Sequence, residues 1–239
     1  GTGDWSSDVC SSDLGNKQKT KRNGVMRRGW ITAVALVAGL MSSVALAAED
    51  FMEGVEYTQI SKPLRTVDEP GKVEVREYFW YGCPHCFRME PDVHHWLEGN
   101  PKNVNFQMQP AILGASWAQG AQAFYTAALL GVLDKVHPAL FNGIHLEGNR
   151  NLASDEMAIE GLFEKQGVAP ETFRKTWNSF GVQSRVKQAY RMTRQSGIQG
   201  VPAVVVAGKY LTDAGSAGSI KKMFQVIEYL VAKEMAAAK

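Results

Sequence analysis

The chain has 239 residues, of which 45% are hydrophobic and 21% are charged, so it is long enough and apolar enough to bury a sizeable core. Six of its 26 lysines and arginines and three of its 24 acidic residues lie in 1–47, which leaves 20 positive and 21 negative side chains in 48–239. This near balance excludes the strongly basic surface that indicates nucleic-acid binding.

Two segments precede the predicted globular part. Residues 26–47 join a short basic head to an apolar run and end in Ala45-Leu46-Ala47, which is typical of a cleaved secretory signal peptide. The alternative is a membrane anchor, but the strongly apolar stretch at 31–40 is shorter than the about 20 residues that span a bilayer. Residues 1–25 lack hydrophobic periodicity and are interpreted as a non-native upstream segment, so Cys10 is given no role.

The first predicted elements surround the cysteine pair. The segment 71–82 alternates β-branched and aromatic residues and then becomes almost continuously apolar, which predicts a strand buried on both faces. Pro84 suits the first turn of a helix that Cys83 caps and that runs to about Leu97. The alternating stretch 103–110 predicts a second strand, and the order strand, helix, strand is typical of a βαβ unit.

The next part of the chain, up to residue 198, carries no strand pattern. Apolar residues at helical spacing, an N-cap at Ser154 and closing glycines predict a run of helices, which we interpret as an inserted helical domain. The predicted helices cover 115–133, 134–148, 155–167, 169–181 and 182–197.

Strand character returns at 201–212, where β-branched residues surround a turn at 207–209 and predict a hairpin. A glycine-rich loop at 213–219 leads to a last helix from about Ser219 to Ala236. The predicted fold class is therefore α/β, with a central mixed sheet that both ends of the chain build and a separate helical layer between them.

Cys83 and Cys86 are the only cysteines of the predicted globular part, and one pair is not a disulfide-stapled scaffold. A C-x-x-C beside a βαβ pattern is typical of a redox pair. Structural zinc needs four ligands, and the adjacent His94 and His95 cannot face one point from a helix. A purely structural disulfide would close a very short loop and restrain little chain entropy, and c-type haem needs a histidine where Phe87 stands.

The position of Cys83 at a helix start favours its thiolate, because unpaired N–H groups and the positive end of the helix dipole surround the sulfur. Cys86 lies one turn deeper, so Cys83 is predicted to be attacked and Cys86 to resolve. The dipole contributes about 1 kcal/mol, or roughly one pKa unit, so N–H groups of His85 and Cys86 and the His85 ring must supply the rest. A stabilised thiolate stabilises the reduced form, and Pro84-His85 therefore predicts a donor of disulfides.

Two further positions have a functional and a structural interpretation. Pro202 follows Val201 at a predicted strand start, where a cis bond would leave the Val201 backbone free to pair with an extended peptide. The alternative is an ordinary strand-start proline. Glu77, six positions before Cys83, is either a buried carboxyl that relays protons or a surface charge on an edge strand.

Taken together, the signal-peptide pattern, C-P-H-C after an aromatic strand, the helical insert and G-V-P before a final hairpin and helix resemble the DsbA family of periplasmic thiol–disulfide oxidoreductases. The resemblance covers essentially all of 48–239. It implies a thioredoxin fold in two parts, 48–112 and 199–239, with the helical domain 113–198 inserted between them.

The resemblance also implies roles for individual residues: Cys83 as nucleophile, Cys86 as resolving thiol, His85 as thiolate stabiliser, Pro202 as cis-proline and Glu77 as buried acid. Aromatic residues beside the cysteines would suit an apolar substrate groove, and Gly82 differs from the bulky residue of some members. The implied catalytic and substrate-binding set is Cys83, Pro84, His85, Cys86, Glu77, Val201, Pro202, Trp80, Tyr81 and Phe87.

The implied partners are reduced or unfolded exported proteins and a quinone-linked inner-membrane oxidase resembling DsbB. We expect a periplasmic monomer with no metal and no cofactor beyond the Cys83–Cys86 disulfide. One alternative is an isomerase or reductant on the same fold, although isomerases of this kind add an N-terminal dimerisation domain, and about 20 residues between Ala48 and the first strand leave no room for one. Another is a thiol- or metal-binding module without turnover.

Overall fold

The computed structural model describes residues 50–238. The predicted signal peptide at 26–47, the upstream segment 1–25 and Cys10 lie outside the described residues.

A five-stranded mixed sheet forms the centre of the described part, with the strand order β1-β5-β4-β2-β3. β2 and β3 are parallel and the other neighbouring pairs are antiparallel, so the predicted βαβ unit and the later hairpin are both confirmed. The strands are β1 (Thr58–Gln59), β2 (Val73–Phe79), β3 (Val104–Pro110), β4 (Ala203–Val206) and β5 (Tyr210–Thr212).

Helices cover the sheet and fill the middle of the chain, as predicted. Five of them, α2 to α6, lie between β3 and β4 in sequence and form the helical insert. The helices are α1 (Pro84–Glu98), α2 (Ala118–Leu130), α3 (Leu133–His145), α4 (Glu156–Lys165), α5 (Pro170–Trp177), α6 (Phe180–Ser196), α7 (Ala214–Ala217) and α8 (Ile220–Ala237).

The structure corrects the local predictions at several points. The strand predicted over 71–82 ends at Phe79, because the chain turns and the Cys83 N–H donates to the Trp80 carbonyl at 2.9 Å. The cap of α4 is Asp155, whose carboxylate accepts from the Ala158 N–H at 2.8 Å, and Ser154 lies one residue earlier.

The stretch 213–219 is also more ordered than the loop that was predicted. It contains the short helix α7, which begins with a reciprocal capping box between Asp213 and Ser216. Because Ser and Asp at helix starts satisfy free N–H groups, two such residues three positions apart are enough to close one turn.

Two apolar clusters meet at β2. One lies between the sheet, α1 and α8 and contains Val75, Met89 and Ile227. The other joins Phe79 and both cysteines to aromatic and aliphatic side chains of α2 to α5, including Phe124 and Phe141. The cysteine pair therefore lies where the sheet meets the helical insert, and we call this boundary the seam.

The glycine at 208 gives a test of the fold. Its φ is +65°, and a Cβ there would lie 2.4 Å from the Leu64 carbonyl oxygen. Gly208→Ala combines left-handed strain with a backbone clash, so we expect it to lower the free energy of unfolding by about 3 kcal/mol in urea denaturation. Gly167→Ala is the matched control, since φ is +89° but the space is open, and we expect a loss of about 1 kcal/mol. Equal losses would contradict the argument.

Candidate active site

The two cysteines occupy different positions at the start of α1. Cys83 is the N-cap residue, with Pro84 in the first turn, and its Sγ accepts a hydrogen bond from the Cys86 N–H at 3.3 Å. The Cys86 side chain is fully buried, whereas Cys83 keeps 6% of its surface. The two thiols are not bonded to each other in this structure. The order of exposure is the one predicted, but Cys83 is more covered than expected, because its Sγ lies 3.3 Å from the Val201 carbonyl.

The environment separates the two thiols electrostatically. A hydrogen bond from the Cys86 side chain is the largest influence that lowers the pKa of Cys83 to about 6, and N–H groups of Cys86 and His85 and the His85 charge act in the same direction. Burial and the neighbouring Cys83 sulfur raise the pKa of Cys86. The N–H groups and the His85 ring were predicted from the sequence, whereas the role of the Cys86 thiol as a donor was not. At neutral pH the site therefore holds one thiolate and one thiol.

His85 makes a contact that the sequence analysis did not predict. The Arg88 guanidinium lies 2.8 Å from its Nδ1 and, because arginine has no acceptor, can donate to it only in the neutral form of the ring. Arg88 is three residues after His85, a spacing that places both side chains on the same side of a helix, so this pair was visible in the sequence.

The loop before β4 faces the cysteines. The Val201–Pro202 peptide bond is cis, and the Val201 carbonyl lies 3.3 Å from Cys83 Sγ, from which it accepts a hydrogen bond while Cys83 is protonated. β4 begins at Ala203, so Pro202 precedes the strand rather than opening it. A cleft of about 400 Å³ lies here, and its lining includes His85, Val201, Pro202, Ala203, Leu211 and Ile220.

The three aromatic residues expected in a substrate groove do not line this cleft. Tyr81 is only 1% exposed, so it is not available as a groove surface in this structure. Phe87 stacks on His145 of α3, with ring centroids 5.0 Å apart. Trp80 lines a separate cleft of about 600 Å³ between the β2–α1 loop and the insert.

Gly82 is required by the position of Trp80. The Trp80 ring stacks face to face on Trp117, with centroids 4.3 Å apart and planes within 3°. A Cβ at Gly82 would lie 2.4 Å from the Trp80 ring, which leaves no space for a side chain. The Trp80 ring therefore fills the space that a larger side chain at position 82 would need.

Glu77 is a buried carboxyl in the middle of the sheet. β2 pairs with β3 on one side and β4 on the other, so the edge-strand interpretation of Glu77 is wrong. Its side chain is 2% exposed, and Oε1 has no hydrogen-bond partner among residues 50–238. Burial, and to a lesser degree the Glu90 charge, raises the pKa of Glu77 to about 8. The group is therefore a neutral acid over most of the physiological range.

Two histidines of α3 contact Tyr81 in the loop between β2 and α1, and neither histidine was singled out from the sequence. The Tyr81 hydroxyl lies 2.9 Å from His137 Nδ1, and the Tyr81 carbonyl accepts from His145 Nε2 at 2.8 Å. The helical insert thus contacts the active-site loop through both ends of one tyrosine.

This arrangement matches known proteins. A family model described as a DSBA-like thioredoxin domain matches residues 74–225. The chain belongs to the DsbA family. The thiol:disulfide interchange protein DsbA of Pseudomonas aeruginosa is 40% identical over 214 residues, which cover 90% of this chain and all of that protein. DsbA of Pseudomonas syringae pv. tomato is also 40% identical over 214 residues, covering 90% of this chain and 99% of that protein.

Solved structures of the family agree with the fold. The crystal structure of Pseudomonas aeruginosa DsbA has a TM-score of 0.72 at 40% identity and covers 80% of this chain and 98% of its own. Proteus mirabilis DsbA with the non-covalently bound peptide PWATCDS has a TM-score of 0.62 at 30% identity, with coverage of 78% and 99%. The chain is therefore a thiol–disulfide oxidoreductase with the DsbA-like thioredoxin fold and its helical insertion.

Two kinds of feature are absent from the described part. Between residues 50 and 238, no helix is both long and apolar enough to cross a membrane. The same residues contain no group of three or more histidine, cysteine, aspartate or glutamate side chains placed to hold a metal ion.

The role of the Cys86 thiol as a donor can be tested by titration. In a Cys10→Ser background, the absorbance of the Cys83 thiolate at 240 nm should follow a midpoint near pH 6. A hydrogen bond to a charged group is worth about 1.5–3 kcal/mol, so Cys86→Ala should raise this midpoint by roughly one to two units. Cys86→Ser keeps a donor and should stay close to the parent. An unchanged midpoint in the alanine variant would show that the other groups suffice.

Glu77 should make stability depend on pH. Its pKa rises from 4.5 to about 8 on folding, so the unfolded chain ionises first and the folded state loses stability as pH rises between these values. The full loss is up to about 5 kcal/mol. Glu77→Gln removes this pH-dependent loss. In urea unfolding, the variant should therefore be more stable than the parent at pH 8, and the difference in free energy of unfolding should disappear towards pH 4.5. Glu98→Gln, at an exposed position of α1, should show no such trend. A stability difference between Glu77→Gln and the parent protein that does not change with pH would contradict the raised pKa of Glu77.

Proposed function

We propose that this protein donates its Cys83–Cys86 disulfide to newly exported proteins in the periplasm. The observation that carries the proposal is the difference between the two neighbouring sulfurs. The pKa of Cys83 is lowered to about 6, which favours its thiolate, and the pKa of Cys86 is raised, which favours its thiol. A thiol with this pKa is about nine-tenths ionised at pH 7, and ionisation lowers the free energy of the reduced form by about 1.4 kcal/mol. In a two-electron couple this shifts the potential by about 30 mV towards an oxidant.

The proposed reaction is a pair of thiol–disulfide exchanges. A substrate thiolate attacks Cys83 Sγ, the Cys83–Cys86 bond breaks, and Cys86 leaves as a thiolate that takes a proton. The second substrate thiol loses its proton to solvent, and its thiolate attacks the substrate sulfur of the mixed disulfide, so that Cys83 leaves as a thiolate. The substrate is oxidised by two electrons and the cysteine pair is reduced by two.

Each sulfur suits one of these steps. Cys83 is the sulfur with remaining surface, and its low pKa makes it the better leaving group in the second exchange. Cys86 is fully buried and favours the protonated state, which prevents the reverse attack once the proton is in place. Glu77 is the proposed source of that proton, because it is a buried acid that stays protonated near neutral pH and whose ionised form raises the pKa of Cys86.

The cleft beside the cis-proline is the proposed substrate site. It is lined by His85, Val201 and Pro202, so a peptide bound there lies next to Cys83. The Val201 backbone would pair with an extended segment, as strand addition does in other peptide-binding proteins. The related Proteus mirabilis structure with a bound peptide supports a peptide-sized ligand. Trp80 and Phe87 are proposed to form the side of the cysteine loop that faces the helical insert. Buried Tyr81 is proposed to hold this loop in place through its contacts with α3.

Location and reoxidation complete the proposal. The signal-peptide pattern at 26–47 supports export to the periplasm, with a monomer as the working form. Because donation leaves two thiols, a second protein must remove two electrons, and we propose a quinone-linked inner-membrane oxidase resembling DsbB. The Cys83–Cys86 disulfide is then the redox group that we propose this protein contributes.

The deciding experiment is equilibration of the protein with glutathione redox buffers, followed by tryptophan fluorescence. We expect the pair to be reduced even in mildly oxidising buffer, because the thiolate stabilises the reduced form. Cys83→Ala/Cys86→Ala fixes the fluorescence baseline, since it retains every tryptophan but no redox pair.

Two results would replace the proposal. A pair that stays oxidised until the buffer is strongly reducing would indicate a reductant or a structural bond. Stoichiometric zinc retained after dialysis, together with no disulfide transfer to a reduced peptide, would indicate a binding module without turnover.

A further inference from the structure

Glu90 is a second carboxylate close to the cysteine pair. It follows Cys86 by four residues in α1, and residues at this spacing lie on the same face of a helix. It therefore lies one turn beyond Cys86, and its charge acts on Glu77. Its side chain is 17% exposed, against 2% for Glu77, so of the two carboxyl groups Glu90 is the one that solvent reaches.

Two histidines approach the Glu90 carboxylate from different elements. His137 Nε2 on α3 lies 3.3 Å from Oε2, and His94 Nε2 on α1 lies 3.8 Å from the same atom. The His94 side chain is 71% exposed, whereas that of His137 is 8% exposed. The two contacts are similar in distance, but the His94 side chain lies in solvent and the His137 side chain is buried.

The ring of His137 is fixed by its surroundings. Phe79, Phe124 and Phe141 contact it edge to face, with interplanar angles of 81°, 75° and 89°. Its Nδ1 lies 2.9 Å from the Tyr81 hydroxyl, which keeps its proton because burial raises the pKa of Tyr81 well above its usual value. With Tyr81 donating to Nδ1, the Nε2–H of a neutral ring points at Glu90.

We propose that His137 is a positioning residue of the redox site, which holds the Glu90 carboxylate inward so that Glu90 carries protons between solvent and Glu77. This rests on the proposed role of Glu77 as proton donor to Cys86. When Cys86 leaves as a thiolate, Glu77 gives it a proton and becomes a carboxylate. Glu90 then takes a proton from solvent and passes it to Glu77, so one proton enters from solvent and no charge is left in the core.

The charged and titratable groups around this path lie on four elements. They are Glu77 on β2, Tyr81 in the following loop, Cys83, Cys86, Glu90 and His94 on or at the start of α1, and His137 on α3. Among them, Glu90 is the charge that acts on Glu77. A Glu90 that turned out to solvent would lose both its effect on Glu77 and its place in the path.

The test is a carboxyl ¹³C NMR titration of Glu77 in the reduced, full-length protein. We expect a midpoint near pH 8 in the parent. Glu90→Gln removes the neighbouring charge and should lower the midpoint by roughly half a unit or more. His137→Phe fills the aromatic site but cannot hold Glu90, so it should lower the midpoint in the same direction. His137→Gln keeps a hydrogen-bond donor, so the Glu77 midpoint should stay at the parent value. His94→Gln is the matched control and should not change this midpoint.

A kinetic measurement tests the path itself. Glu90→Gln and His137→Phe should slow oxidation of a dithiol peptide at least about threefold at pH 7, while His94→Gln and His137→Gln react like the parent. Tyr81→Phe, which keeps the ring but loses the hydroxyl, provides a second variant should His137→Phe not fold, and it should shift the Glu77 midpoint in the same direction.

The outcomes separate the two proposals. If Glu90→Gln lowers the midpoint but His137→Phe and Tyr81→Phe do not, His137 only fills space and the inference is overturned. If Glu90→Gln changes neither midpoint nor rate, Glu90 is outside the path and the inference is overturned as well. A Glu77 that titrates near its ordinary value in the parent protein would instead remove the proposed role of Glu77.

Discussion

Everything at this site depends on one thiol lying beneath another at the start of a helix. Cys83 caps α1 and receives hydrogen bonds from the side chain and backbone of Cys86, so the charge that develops on the outer sulfur is shared with the inner residue. Burial of Cys86 supports this arrangement, because exclusion from water raises the pKa of Cys86 and keeps the proton on the inner sulfur. The electrostatic difference between the sulfurs is thus a consequence of packing.

The helical insert supplies much of that packing. Cys83 and Cys86 belong to the same apolar cluster as side chains of α2 to α5, and the sheet alone would leave this side of α1 open to solvent. His137 and His145 then fix the backbone and side chain of Tyr81. The insert is therefore part of the redox site, and its contribution is to keep the loop and the inner thiol in a dry, rigid environment.

Local patterns explain which parts of the fold could be predicted from the sequence. β2 and α1 have clear periodicity and a proline at the helix start, so their existence and order follow from residues close in the chain. β1 has only two residues and is held by pairing with β5 about 150 positions away, which no local pattern reveals. The helix α7 was missed for a related reason, because a single capped turn has no periodicity.

The site was predictable to the extent that its residues are neighbours in sequence. The C-P-H-C spacing predicted the capping sulfur, and Arg88 could have been found from its spacing to His85. Glu77 could be placed on a strand but not in the centre of a sheet, because strand order is decided by long-range pairing. The contact of His137 with Glu90 joins residues 47 positions apart in two different helices, and only the packed structure brings them together.

The difference in burial between the sulfurs also determines how the reduced protein reacts with foreign electrophiles. At pH 7 an alkylating reagent meets one ionised sulfur with residual surface, at Cys83, and one neutral sulfur with none, at Cys86. Within this pair a single label is therefore directed to Cys83 while the protein is folded. The second sulfur becomes reactive only when the seam opens, so its rate of modification measures how often the sheet and the helical insert separate.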